Sequence, residues 1–533
     1  MPKLLHEFIL NSANKTPDAE ALLHKKSSYD YQSIAQQTTS IAGGLCHLGL
    51  NAGERVAIYL PKRVEAVISF FASNCAGAVF VPVNPLLKPE QVAYILRDCN
   101  VRVLISSHDR LKQLEAVLSS CHDLNLIVDV NNKSEPAPNT HFQSLHWQHL
   151  LDSENSSANK SAHRRIDTDI ASILYTSGST GNPKGVVLSH RNMIVGAKSV
   201  AEYLKNTADD NLLAVLPFSF DYGLSQLTTA FHVGAKVTLM DYLLPRDVIK
   251  AIEKFQITGL AGVPPLWNQL AQLDWSGINT QSLRYITNSG GAMPKATLNT
   301  LRAATPDTDV YLMYGLTEAF RSTYLPPEEI DNRPDSMGKA IPNAEVMVVR
   351  EDGSLCAPGE PGELVHRGSL VSLGYWNDAK KTAEHFKPVP QSKRETENGL
   401  TLTEIAVWSG DKVKMDEDGF LYFIARQDDM IKTSGYRVSP SEVEEVIYAT
   451  GLISEAAALG VSHPTLGQAI VVIVTAENNT AEELMIECKK QLPNFMHPAK
   501  IEYLDKMPKN PNGKIDRKQL ALQYANLFQE TQQ

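Results

Sequence analysis

From about Arg55 the chain alternates two kinds of apolar run. Short, β-rich runs (VAIYL, AVFVPV, VRVLISS) are separated by longer stretches such as VEAVISFFASNCAG and QVAYILRDCN, a pattern that predicts parallel strands joined by helical crossovers. The most apolar window, residues 67–83, contains Ser69, Ser73, Asn74 and Pro82, so it predicts a buried helix followed by a strand and not a membrane span. Residues 131–169 are polar and read as a surface excursion. Alternation resumes over 211–311. Residues 344–368 then change character, with β runs between Gly/Pro turns, as in an antiparallel or barrel-like unit. A polar loop of mixed charge covers 391–398; SPSEVEEVIYAT (439–450) predicts a capped helix, and a βαβ-like section runs into a lysine-rich tail. A boundary near Asp428 divides the chain into residues 1–427 and 428–533. No internal repeat is visible.

With 533 residues the chain exceeds what one core holds, and 43% hydrophobic with 21% charged residues is ordinary for a soluble protein. The net charge of -10 argues against nucleic acid and anionic membranes as partners and leaves small molecules. The six cysteines are scattered without metal-ligand spacing and read as reduced core residues of a cytoplasmic protein. The N-terminus shows no secretion signal.

Chemistry first surfaces at 175–185, YTSGSTGNPKG, set between an apolar strand and an expected helix. Its glycines and hydroxyls suit a phosphate cradle, but Pro183 and Gly185 around Lys184 break the Walker pattern, which needs Lys and Ser/Thr to open a helix. Taken alone the stretch reads equally well as a solvated loop. Five more segments follow in order: SGGAMP (289–294), MYGLTE (313–318), WSGD (408–411), ARQDDMIKTSGYRV (425–438) and PNGKIDRK (511–518). Together the six strongly resemble the adenylate-forming superfamily of acyl-CoA synthetases, peptide-synthetase adenylation domains and luciferases, over nearly the whole chain. Within it the chain is similar to exosortase-associated AMP-forming acyl-CoA ligases and stand-alone L-prolyl carrier-protein ligases.

The resemblance implies a mixed α/β and α+β fold: a large N-terminal domain of layered sheets and helices with a β-barrel-like unit, and a small mobile C-terminal α+β domain. It implies ATP and Mg²⁺ as cofactors, a carboxylic acid that becomes acyl-AMP, and a thiol acceptor, either CoA or a phosphopantetheinyl carrier protein. Thr176, Ser177, Gly178, Ser179, Thr180, Gly181 and Lys184 would surround the β- and γ-phosphates. Glu318 would hold Mg²⁺ and Thr317 the α-phosphate. Tyr314, Gly315, Gly290, Gly291 and Ala292 would complete the nucleotide site, the last three as a backbone wall for adenine. Asp411 would accept the ribose hydroxyls, with Ser409 standing where relatives carry threonine, and Arg426 would approach the ribose or phosphate. Lys514 would bridge the attacking carboxylate and the α-phosphate. Asp428 matches a hinge and Gly435 a pantetheine tunnel. Singly, each of these residues has a bland alternative: a helix-N-terminal acid for Glu318, a solvated tail for Lys514, a linker acid for Asp428 and a turn glycine for Gly435.

The acid itself is read from LPFSFDYGLSQLTTAF (216–231), with Phe220, Asp221 and Tyr222 as substrate-binding candidates. In amino-acid-activating relatives a Phe-Asp here binds the substrate ammonium, and a buried Asp221 needs a cationic partner or hydrogen bonds. Asp221 could instead be an N-cap, since Leu224, Leu227 and Phe231 follow at helical spacing. The lean is to a small amino acid, L-proline first, loaded onto a carrier protein. A fatty or aryl acyl-CoA synthetase is the runner-up, a luciferase-type oxygenase comes third, and a non-catalytic nucleotide-binding regulator is the alternative of another class.

Overall fold

The computed structural model describes residues 2–131, 142–152, 163–176, 183–390, 403–426, 430–433, 436–463, 466–476 and 480–528. Two large sheets carry the N-terminal part. One has seven strands in the order Gln143–His146, Leu126–Asp129, Val101–Ser106, Arg55–Tyr59, Val79–Pro82, Ile170–Thr176, Lys184–Ser189; all are parallel except the last. The other has nine, in the order Lys339–Ala340, Thr323–Leu325, Asp309–Tyr314, Tyr285–Asn288, Gly259–Gly262, Asn211–Ala214, Lys236–Leu239, Glu20–His24, Ser27–Asp30, parallel in the middle and antiparallel at both ends.

Layering follows from the all-round apolarity of the helix Val64–Cys75, in which ten residues are buried. A helix without a polar face needs cover on every side. It lies between the two sheets: Phe70 meets Phe80 of one sheet and Phe218 from the other side, with ring centroids 5.2 and 6.0 Å apart, and Phe71 meets Phe231 at 5.4 Å. The expected helix-then-strand over 67–83 is this helix with Val79–Pro82.

The antiparallel unit expected from residue 344 onward is a five-stranded sheet of Ala344–Val349, Gly362–Gly368, Ile405–Met415, Phe386–Pro388 and Leu421–Arg426. A further five-stranded sheet, with its own apolar clusters, holds Ile431–Thr433, Tyr436–Val438, Glu455–His463, Gly467–Thr475 and Lys500–Tyr503. Within it Gly467–Thr475, the helix Ala481–Gln491 and Lys500–Tyr503 form the expected βαβ, the two strands parallel. Among the described residues no helix is long and apolar enough to cross a membrane, and all six cysteines are free thiols.

Three expectations change. A strand, Lys184–Ser189, stands where a helix was expected after the glycine-rich stretch, and the helix His190–Tyr203 comes only after it. Ser439 does not cap the helix Pro440–Ala449; its hydroxyl donates to the Ile424 carbonyl. The polar excursion is partly built into the fold, since Gln143–His146 edges the seven-stranded sheet and Trp147 and Leu150 are buried. The loop 391–398 and the boundary residue Asp428 lie outside the described residues.

One glycine fixes how the helix Asp221–Val233 begins. A Cβ on Gly223 would stand 2.1 Å from the Pro217 carbonyl oxygen and 3.0 Å from that of Leu216, so the first turn packs on the preceding loop only with a bare backbone there. Helix propensity alone would favour alanine by up to about 1 kcal/mol. Gly223→Ala is expected to destabilise by about 1–3 kcal/mol instead, read from urea midpoints; a more stable variant would show that the turn does not need the close approach.

Two buried histidines set an acid limit. His190 is 1% exposed, accepts the Leu5 amide at Nδ1 (3.1 Å), and burial holds its pKa down to about 3. His366 is fully buried, its Nδ1 2.9 Å from the Ser322 hydroxyl, and burial holds it down to about 4. Both are neutral in the fold, while an unfolded histidine takes its proton near pH 6.5. Their contribution is therefore complete above about pH 6.5 and declines by about 1.4 kcal/mol per pH unit per histidine as pH falls toward 4. Urea unfolding at pH 7.5 and 5.0 checks this: His366→Gln is expected to flatten the dependence, and an unchanged slope would exclude it as a contributor.

Candidate active site

The residues singled out in the sequence gather at the carboxyl ends of parallel strands. Thr176 ends Ile170–Thr176, Phe220 and Asp221 follow Asn211–Ala214, Ser289 to Ala292 follow Tyr285–Asn288, and Tyr314 to Glu318 leave Asp309–Tyr314. Open parallel sheets place ligands outside these ends.

Thr176 and Lys184 are opposite partners in the antiparallel strands on either side of the glycine-rich stretch. That stretch therefore leads from strand to strand, unlike a Walker loop, which joins strand to helix. Ser177, Gly178, Ser179, Thr180 and Gly181 lie outside the described residues. The Lys184 ammonium stands 5.5 Å from the centroid of the Tyr375 ring, and the Tyr375 hydroxyl donates to Glu318 Oε1 at 2.6 Å. Burial lowers the Lys184 pKa, as does the neighbouring Lys381, while Glu318 opposes both. Burial, and next the Glu318 charge, push the Tyr375 phenol above its ordinary value, which keeps it a donor. Thr317 and Glu318 sit in a single 3-10 turn, with Thr317 buried and Glu318 half-buried. Glu318 thus presents one carboxylate, and the described residues hold no cluster of three metal-ligating side chains.

Asp411 lies on Ile405–Met415 and is 4% exposed. Its Oδ2 accepts the Tyr314 hydroxyl at 2.5 Å, and its amide donates to Ser409 Oγ at 3.1 Å. The serine hydroxyl in turn donates to the Leu364 carbonyl, so the Trp-Ser-Gly-Asp segment of the strand is anchored through the group that serine shares with threonine. Arg426 pairs with Asp411 across the antiparallel ladder; its side chain lies outside the described residues. So do Asp428 and Gly435.

Lys514 reaches this cleft from the C-terminal part. Its turn is tied by Asn510, whose Oδ1 accepts the Asn512 and Lys514 amides at 3.0 and 3.1 Å, while Asn84 Nδ2 donates to the Pro511 carbonyl at 2.8 Å. The lysine lies along Gly290, where a Cβ would meet its Cε at 2.7 Å, and its ammonium stands 5.0 Å from the Phe220 ring centroid. Gly290 has φ +81°, and Gly291 and Ala292 are exposed, so the turn offers open backbone beside the lysine. Asn288 Nδ2 steadies it from beneath by donating to the Gly291 carbonyl.

The acid-side candidates differ from expectation. Phe220 takes the N-cap position of Asp221–Val233 and Asp221 is the first helical residue, so Asp221 is not the cap. Its cationic partner is within the chain: Arg321 Nη1 lies 3.1 Å from Asp221 Oδ2, with both side chains almost wholly buried. Tyr222 donates to the Thr287 carbonyl at 2.8 Å, and its ring lies 4.7 Å from the Arg321 guanidinium carbon. Sequence reasoning missed Arg321 and Tyr375. A lone cation in the apolar and hydroxyl-rich run following MYGLTE was the available signal for the first, and the aromatic pair between Gly374 and Asn377 for the second.

Comparison with known proteins now has geometry to meet. The family model of the AMP-binding enzyme matches residues 9–376, and that of the AMP-binding enzyme C-terminal domain matches residues 442–514. A long-chain-fatty-acid–CoA ligase of Escherichia coli O157:H7 is 29% identical over 97% of this chain and 94% of its own length. An L-proline–[L-prolyl-carrier protein] ligase of Pseudomonas fluorescens is 30% identical over 98% and 99%. The crystal structure of an anthranilate CoA ligase in complex with anthranoyl-AMP superposes with a TM-score of 0.87 at 25% identity, covering 98% of both chains. A cleft at the carboxyl ends of two parallel sheets, six ordered motifs and a family match over most of the length lead to one conclusion: this chain belongs to the AMP-binding enzyme family and is an AMP-forming ligase.

Proposed function

We propose that the protein activates a carboxylic acid with ATP and passes the acyl group to the thiol of CoA or of a phosphopantetheinyl carrier protein. The observation that carries the reading is the convergence of Lys514 on Gly290 and Phe220, at the mouth of the segment holding Asp221. There its ammonium neutralises charge as an acid oxygen bonds to the α-phosphorus and the bond to pyrophosphate breaks. In the second step the thiol sulfur bonds to the acyl carbon, AMP leaves with the carboxyl oxygen, and the thiol gives up its proton.

Around that centre, the turn 177–181 with Thr176 and Lys184 would hold the β- and γ-phosphates, and Thr317 the α-phosphate. Gly290, Gly291 and Ala292 would face the adenine; Tyr314, Gly315, Asp411 and Arg426 would bind the ribose side. One half-buried carboxylate, Glu318, fits a Mg²⁺ that arrives with the nucleotide and takes its other ligands from phosphate and water. When bound, that ion would neutralise phosphate charge. Asp428 would serve as the hinge between residues 1–427 and 428–533, and Gly435 would line the path of the thiol arm. The six free thiols suit a cytoplasmic setting.

For the acid, L-proline on a carrier protein has the support of the 30%-identical relative. Its physical ground is weaker than the sequence suggested, because Arg321 already balances Asp221. The acyl-CoA synthetase reading has the support of the 29%-identical long-chain-fatty-acid–CoA ligase, although a methylene chain offers nothing to a buried guanidinium. The site therefore favours a small polar acid. The regulatory alternative is set aside by membership of an enzyme family whose lysine, carboxylate and hydroxyl groups are present here.

Lys514→Ala is expected to lower acid-dependent ATP–pyrophosphate exchange by roughly 10²–10³-fold, the loss typical of one preorganised charge donor. Near-normal exchange by a folded variant would remove this lysine from the mechanism.

A further inference from the structure

We propose that Arg321 is a specificity-determining residue that grips a second carboxylate, so that the acid activated is a dicarboxylic acid; this deepens, and rests on, the ligase reading above. Arg321 is 2% exposed. Its Nη1 is engaged by Asp221 and by the Phe320 carbonyl (2.8 Å), while Nε and Nη2 are buried without a partner among the described residues. Two charged donors left unpaired away from water are costly, and a ligand that satisfies them recovers the loss.

The chemistry of the missing partner follows from which edge is vacant. The N–H groups of Nε and Nη2 run parallel along one side of the guanidinium and match the two oxygens of a carboxylate. This molecule uses the same edge elsewhere: Arg63 holds both Glu65 oxygens at 2.6 and 2.7 Å, and Arg191 both Asp167 oxygens at 2.8 and 2.9 Å. On Arg321 the same two donors, Nε and Nη2, have no hydrogen-bond partner among the described residues.

Backbone strain fixes the fork in place. Phe320 holds φ +58° and ψ −48°, a conformation costly for a bulky residue, and its ring lies so close to Gly196 that a Cβ there would be 2.4 Å from it. The Phe320 ring is fully buried. Arg321 is thereby turned inward over Tyr222, whose ring centroid is 6.1 Å from that of Phe220, over which Lys514 stands. Two cations thus stand over neighbouring rings, one at the reacting carboxylate and one deeper, which suits an acid with carboxylates at both ends. Proline and fatty acids leave the fork empty.

The test is ATP–pyrophosphate exchange by the full chain with succinate, glutarate and phthalate, the monomethyl ester of each, L-proline and hexanoate. One diacid is expected to exceed its own monomethyl ester by roughly 10²-fold or more in kcat/KM, because a site built around paired polar groups rejects an analogue that leaves them unpaired. Arg321→Lys, which keeps the charge and loses the fork, is expected to raise KM for that diacid about tenfold or more with a smaller change in kcat. Comparing diacid with ester on the unaltered protein keeps the test decisive if the variant does not fold. Preference for proline or hexanoate, or equal use of diacid and ester, overturns the inference while the ligase stands. Exchange with no acid of any class overturns the ligase reading and the inference with it.

Discussion

A charge removed from water must find its counter-charge in the protein or in a ligand, and the acid end of this cleft is organised by that requirement. Asp221 and Arg321 are a hundred residues apart in sequence and less than a tenth exposed, so neither tolerates the loss of the other. Their pairing ties the start of the helix Asp221–Val233 to the segment that leaves the strand Asp309–Tyr314, and so ties the substrate side of the cleft to the turn carrying Thr317 and Glu318. The pair is incompletely balanced in hydrogen bonds, since one oxygen of Asp221 meets one nitrogen of an arginine with five N–H groups to place. A core arginine kept for stability alone would be fully bonded. One held in a strained turn with its best edge vacant has the properties of a binding group.

Another part of the cleft is assembled by a different route, with two carboxylates each held by a neutral donor. Tyr375 holds Glu318 and underlies Lys184, and Tyr314 holds Asp411. Phenols do this without adding charge, so the carboxylates keep their negative charge and further acceptor capacity. Between the C-terminal part and the rest, Asn84 donates to the Pro511 carbonyl and Glu445 accepts the Lys295 amide. Such contacts exchange for water at small net cost, whereas the apolar clusters of the C-terminal sheet are its own.

Legibility of the sequence followed the same physical lines. Parallel strands and crossover helices were readable from run length because buried strands and helices differ in period and extent, and the family was readable because six short motifs stand in a fixed order along the chain. The strand Lys184–Ser189 was misjudged because its apolar run abuts the helix His190–Tyr203 without a turn between them, leaving no punctuation to separate the two. Asp221 was read either as an acceptor for a substrate ammonium or as an N-cap; the structure buries it against Arg321, a cation the sequence could not identify, since ion pairing across a hundred residues leaves no local pattern. Ser439 shows the same limit on a smaller scale: a serine ahead of Pro440 is a sound cap in isolation, but Ile424 on a neighbouring strand offers its hydroxyl a carbonyl. Local grammar thus predicts where a polar side chain is needed. Which group satisfies it is decided by what the fold brings alongside, and at Arg321 the fold brings Asp221 and the Phe320 carbonyl to one nitrogen and leaves Nε and Nη2 without a hydrogen-bond partner among the described residues.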